Sequence, residues 1–134
     1  MLSATHYVNA DLEISSGSFL TALSKHFKSK SLTCLFCSQS NDGQWHTTIA
    51  SGEQHDSAEP SIIDLLKAIE SLKGEHDETW KTSSKRELNV GYQCGEEPWF
   101  YENLISNDTL LRIAKVGADL RITLYRYGAP AIAD

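Results

Sequence analysis

The sequence predicts an α+β domain with the element order β-α-β-β-α-β-α-β. Three observations lead there. Five short stretches carry apolar residues in alternation or in a continuous run of strand length. Three others repeat apolar residues every three or four positions, as one face of a helix requires. Between them cluster Gly, Ser, Asn and Asp, the residues that turns favour.

The first strand is Tyr7 to Ile14, where Ala10, Leu12 and Ile14 alternate with Asn9, Asp11 and Glu13. Ser15-Ser16-Gly17-Ser18 breaks it and offers N-cap side chains for a helix from Phe19 to Phe27. Phe19, Leu20, Leu23 and Phe27 are its apolar stripe, and Lys25, His26, Lys28 and Lys30 suit its C-terminal dipole. Leu32 to Ser38 is nearly continuous in apolar character, which predicts a strand central in the sheet. Asn41-Asp42-Gly43 then turns the chain into Trp45–Ala50, a hairpin. After a polar loop over 51–60, Pro60 or Ser61 opens the clearest helix, lined by Ile62, Ile63, Leu65, Leu66, Ile69 and Leu72 and stopped by Lys73-Gly74. Residues 75–84 read as a loop or a short helical turn carrying Trp80. Leu88, Val90 and Tyr92 alternate in the next strand, and 99–105 reads as extended or irregular. Ser106-Asn107-Asp108 caps a helix whose Leu110, Leu111, Ile113 and Ala114 are expected to face the core, ending at Gly117. Leu120 to Tyr125 is the last strand. The opening six elements have the order of a ferredoxin-like split β-α-β unit, with a helix and a strand added.

At 134 residues the chain is expected to form a single domain, 1–134, with a loosely held tail over 129–134. Its 40% hydrophobic and 22% charged residues match globular usage. No apolar run reaches the roughly 18 residues of a membrane span, and the first residues lack the pattern of a secretory signal. A cytoplasmic location is therefore expected, with Cys34, Cys37 and Cys94 as structural thiols. Cys34 and Cys37 fall three apart in a strand, so they are expected on opposite faces, about 10 Å apart and unable to pair.

The net charge of −6 is concentrated. Between Gly52 and Glu78 lie eight acids, Glu53, Asp56, Glu59, Asp64, Glu70, Glu75, Asp77 and Glu78, against Lys67 and Lys73. The rest of the chain balances, so this segment holds the whole excess. Such a chain should avoid nucleic acid and anionic membranes and attract a basic protein. A solvated surface that only maintains solubility has the same composition.

No catalytic or metal-binding motif stands out. The histidines have no i, i+4 spacing and no HExxH, and pairing of His55 with Asp56 would depend on a loop fold. No GxSxG, GxGxxG or Walker-type loop occurs. Glu96-Glu97, between Gly95 and Pro98, reads as a turn. No metal or cofactor is expected, and no enzyme.

The stretch from Leu104 to Tyr125, with its Ser-capped helix, Gly117-Ala118-Asp119-Leu120 turn and Ile122-Thr123-Leu124-Tyr125 strand, resembles a family of small bacterial α+β proteins of unknown function. The likeness covers the chain from Leu88 onward, about a third of its length, and some proteins of this kind are immunity proteins encoded beside a toxin. That resemblance implies no catalytic residues. It implies a protein that binds and neutralises a toxin, and the concentrated acidic charge suits occlusion of a basic toxin surface, such as that of a nuclease. Glu53, Asp56, Glu59, Glu75, Asp77, Glu78, Glu96 and Glu97 would steer and pair, and Trp80 or Trp99 would anchor. The rival expectations are a small-ligand-binding module with a pocket between sheet and helices, and a hydrolase built on His46 or His55 meeting acids in a cleft.

Overall fold

The structure, a computed structural model, describes residues 2–128 of the chain. Its elements are β1 (His6–Ser16), α1 (Thr21–Ser29), β2 (Thr33–Gln39), β3 (Trp45–Ala50), α2 (Ala58–Glu70), α3 (Gly74–Thr82), β4 (Lys85–Gln93), α4 (Asn107–Val116) and β5 (Asp119–Tyr125). The α+β class is as expected, with a fourth helix where the sequence left 75–84 open. The tail expected over 129–134 lies outside the described residues.

The five strands form one mixed sheet in the order β2-β3-β1-β4-β5. Neighbours run antiparallel except β4 and β5, which are parallel and joined through α4. Alternation decides which way each strand faces. In β1, Ala10, Leu12, Ile14 and Ser16 are buried, while Asp11, Glu13 and Ser15 point the other way. Leu12 and Ile49 are directly paired, as are Leu12 and Leu88, so the buried sets of three strands coincide. Leu20, Leu23 and Phe27 of the α1 segment, Ile62, Leu65 and Leu66 of α2, Trp80 of α3 and Ile113 of α4 complete the core.

The other face of the sheet is polar and cross-linked. Lys85 donates to Glu13 at 2.8 Å, Asn89 donates to the other Glu13 oxygen at 3.0 Å, and Thr123 donates to Asn89 at 2.7 Å. Arg121 meets Glu87 through Nε and Nη2 across β4 and β5. Glu13 is held below the usual carboxylate range by Lys85 and Asn89, which together outweigh its burial.

Several expectations are corrected. β2 is an edge strand, not a central one. Its apolar run reflects a β-bulge at Leu35, where Cys34 opposes Ile49 but Phe36 opposes Thr48. The extra residue restores the phase, so Cys34 and Cys37, opposite Ile49 and Thr47, share the core side instead of lying on opposite faces. Leu35 and Phe36 are left half exposed. α1 begins two residues later than expected, and Phe19 packs on Trp45 outside the core. The N-terminal serines do not cap it; Ser16 accepts from the Ser18 N–H instead. α2 begins at Ala58, so Pro60 occupies its first turn, where no helical N–H bond is lost. Gly74, read as the stop of α2, is the first residue of α3.

In α4 the cap is as expected, since Ser106 Oγ accepts from the Thr109 N–H and Gly117 closes the helix at φ 77°. The buried face is as expected only at Ile113. Thr109 and Ile113 point inward, while Leu110, Leu111 and Ala114 are exposed. β5 shows the same inversion. Leu120, Ile122 and Leu124 pair beside the buried Leu88, Val90 and Tyr92, yet remain exposed because the helical layer stops short of the fifth strand.

Candidate functional site

The acidic segment is contiguous in sequence and divided in space. Glu53, Asp56 and Glu59 precede or open α2, whereas Glu75, Asp77 and Glu78 lie on α3 beyond its other end. The two groups are separated by a 13-residue helix, about 20 Å long. Several acids already have partners. The Ser106 and Thr109 side chains lower the Glu59 pKa, helped by the Ser106 N–H, which donates to Glu59 at 2.7 Å. Asp77 pairs with Lys81 at 2.8 Å and Glu70 with Arg112 at 2.7 Å. Glu53, Asp56, Glu75 and Glu78 form no ion pair among the described residues. Trp80 is 2% exposed and donates its indole N–H to Val116, so as an anchor for a partner it is withdrawn.

Trp99 is placed very differently. It is 97% exposed, on the irregular segment between β4 and α4, followed by the exposed Phe100 and Tyr101. This segment reaches β5, and Pro98, Trp99, Phe100, Tyr101, Ile122 and Leu124 line a groove of about 530 Å³ with Tyr92 at its base. The segment is held at both ends. At one, Thr5 N–H donates to the Glu97 carbonyl at 2.7 Å and Glu96 N–H to Ser3 at 2.9 Å. At the other, Asn103 Oδ1 accepts from the Tyr92 hydroxyl at 3.1 Å and from the Ala58 N–H at 3.3 Å. Tyr101 packs edge-on against Tyr92, which packs edge-on against the core residue Tyr7. Glu96, Glu97 and Glu102 are exposed on the same segment, and Arg126 follows β5. The Tyr127 hydroxyl bonds Glu96, raising the tyrosine pKa.

The chain matches no protein-family model, no curated protein and no solved structure. Its chemistry therefore has to be read from its own residues.

A second feature lies beside the first half of the central strand β1. Ser51, Glu53, Gln54 and His55, from the loop between β3 and α2, face Tyr7, Asn9 and Asp11 of β1 across a cleft of about 200 Å³. His55 Nε2 stands 2.7 Å from Asp64 Oδ2, and the Ser51 hydroxyl donates to the same oxygen at 2.7 Å. These partners keep the Asp64 pKa low despite its partial burial. His55 thus meets Asp64, nine residues away, instead of its neighbour Asp56. Asp11 is the counterpoint: burial, reinforced by Glu13, pushes its pKa up to about 6.

His46 sits between two hydroxyls, Ser15 at 2.8 Å and Ser40 at 3.0 Å. The nearby Asp42 bonds Ser40 at 2.5 Å. A carboxylate bound to the serine, not the imidazole, does not orient the ring as a general base would require. What sequence reasoning passed over is the β5 side of the groove. Its signal was present, since an alternating strand at the end of the element order is a natural edge.

Proposed function

We propose that this chain is a protein-binding module, an immunity-type inhibitor of a basic bacterial toxin such as a nuclease, acting without catalysis. The observation that carries this reading is the exposed aromatic groove around Trp99, on a segment that also exposes Glu96, Glu97 and Glu102. Exposed apolar surface with a charged rim is the usual composition of an interaction hot spot. The acidic residues give it a preference for a basic partner, and Trp99 and Phe100 give it affinity. The segment's fixed ends lower the ordering cost of binding. In this reading Glu96, Glu97 and Trp99 belong to the interface, while Glu53, Asp56, Glu75 and Glu78 act at longer range by steering.

The resemblance of the last third to small bacterial immunity-type proteins supports the same reading, as does a cytoplasmic setting in which a toxin would be met. We read β1 to β4, in the order 2-3-1-4 with antiparallel neighbours, as a ferredoxin-like split β-α-β sheet to which α4 and β5 add the binding edge. The alternative, a small-ligand-binding module, is favoured by the cleft at His55.

Co-expression with the product of the neighbouring gene tests the proposal, with binding rates read by surface plasmon resonance at low and physiological salt. A complex is expected whose affinity falls by about 30-fold or more in the double variant Trp99→Ala, Phe100→Ala, the scale of a hot spot. The double variant Glu96→Lys, Glu97→Lys should slow association at low salt. Affinity unchanged by the aromatic substitutions would overturn the groove as the interface.

A further inference from the structure

We propose that Glu53, His55 and Asp64 form a binding site for a first-row divalent cation, zinc in the first instance. Each residue offers one ligand atom, and the three atoms lie within 4.8 Å of one another. Zinc at about 2.0–2.2 Å from nitrogen and oxygen ligands places those ligands a little over 3 Å apart. The His55–Asp64 separation of 2.7 Å is already near that spacing. Coordination would replace the 2.7 Å His55–Asp64 hydrogen bond and draw the Glu53 oxygen, now within 4.8 Å of the other two, closer to them.

The local fold places these side chains. Asp64 lies on the second turn of α2, a rigid support, and Ser51 donates a 2.7 Å hydrogen bond to Oδ2, the same carboxylate oxygen that His55 meets. His55 and Glu53 come from the preceding loop, whose course is set at Gly52. A Cβ there would stand 2.0 Å from the Ser31 carbonyl oxygen, so the backbone passes closer to the α1–β2 turn than any other residue allows. One imidazole and two carboxylates suit zinc or another first-row ion better than a soft thiolate-seeking metal.

An independent observation points the same way. Asp11 Oδ1, in the cleft that Glu53 and His55 also line, is shut off from solvent and has no hydrogen-bond partner among the described residues. No Lys or Arg lines that cleft. Lys67 lies with Asp64 in the neighbouring groove instead. A buried carboxylate oxygen without a donor, in a cleft shared with the Glu53 carboxylate and the His55 imidazole, favours a cation or a cation-bound water.

Calorimetric titration of the full chain with zinc chloride, against magnesium and calcium chloride, tests the site. One zinc ion per chain is expected, at micromolar affinity or tighter, with no comparable heat from magnesium or calcium. His55→Gln and Asp64→Asn should each weaken binding by about 10- to 100-fold or more. Asp56→Asn, in the same loop, should leave it unchanged. Because Asp64 also holds the loop, the wild-type chain supplies a second readout: the 15N shift of His55 Nε2 should move on zinc addition. The stacked pair His26 and His76, with ring centroids 4.6 Å apart, is the rival site. No zinc binding at submillimolar metal would overturn the proposal. So would binding that persists in His55→Gln and vanishes in His26→Gln.

Discussion

The indole N–H of Trp80 donates to the backbone carbonyl of Val116 at 2.9 Å. That single bond ties α3 to the last turn of α4, where a helix otherwise leaves carbonyls without partners. The Arg86 guanidinium lies over the same indole, 5.9 Å from the ring centre. Replacement of Trp80 by Phe keeps most of the apolar contact and removes the bond. The chain should lose about 1–2 kcal/mol of stability, read as a lower urea midpoint with an unchanged slope. An unchanged midpoint would show that water replaces the indole at Val116.

Tyr7 reaches from β1 to α2, its hydroxyl donating to Ser61 at 2.7 Å inside the core. Burial raises its pKa, so the hydroxyl is a donor across the physiological range. Tyr7→Phe should cost about 1–2 kcal/mol, because Ser61 is left buried with one partner fewer. The double variant Tyr7→Phe, Ser61→Ala should recover part of that loss, since neither polar group is then stranded. Equal losses in the single and double variants would contradict this account.

Asp11 predicts a pH dependence with a definite sign. Its pKa in the fold is about 6, against an ordinary value of 3.8. The folded chain therefore holds a proton more tightly than the unfolded chain does. Stability is reduced as pH rises from about 3.8 to 6 and stays reduced above that range. Asp11→Asn should accordingly raise the stability at pH 7, by about 1–2 kcal/mol after allowance for partial solvent contact, and leave it unchanged at pH 3. Thermal melts of both proteins across that range supply the difference. A variant less stable than the parent at pH 7 would show that the carboxylate has a favourable partner.

Gly52→Ala should destabilise by about 2 kcal/mol or more, since neither backbone segment has room for the 2.0 Å approach. The same substitution at Gly43, whose Cβ would meet nothing within 4 Å, isolates the cost of a positive φ alone, about 1 kcal/mol. Denaturant melts of the two variants should therefore rank Gly52 well below Gly43. Comparable losses would mean that the loop yields.

Leu124→Thr on β5 should change stability by less than about 0.5 kcal/mol, as expected for a side chain that is 65% exposed. Ile113→Thr on α4, 5% exposed, should cost about 2 kcal/mol or more. That contrast separates residues that hold the fold from residues that face outward. A large loss from Leu124→Thr would place β5 within the core after all.

Much of the element order was legible because it rests on local periodicity. The Ser106 cap, the Gly117 stop and the alternation of β1 need no tertiary information. Trp80 and Trp99 had equal standing in the sequence, both beside acids, and only packing distinguished them. One found a carbonyl partner between two helices, and the other was left on a segment with no helix above it. The bulge at Leu35 was hidden for a related reason, since one inserted residue preserves composition while reversing every later side chain. His55 and Asp64 were unreadable as a pair because a loop turning back onto its own helix leaves no fixed spacing.

The parallel placement of β5 outside β4 has a temporal consequence. The central sheet cannot close until β4 reaches Leu12 from 76 residues further along the chain. α4 and β5 are the last described elements to be synthesised, and at about 5–20 residues per second they follow β4 by a few seconds. The groove beside Trp99 is thus completed after the scaffold it rests on. A partner of the proposed kind would find its groove only on chains whose scaffold has already been synthesised, and a nascent chain ending before Ile122 would offer nothing complete to hold.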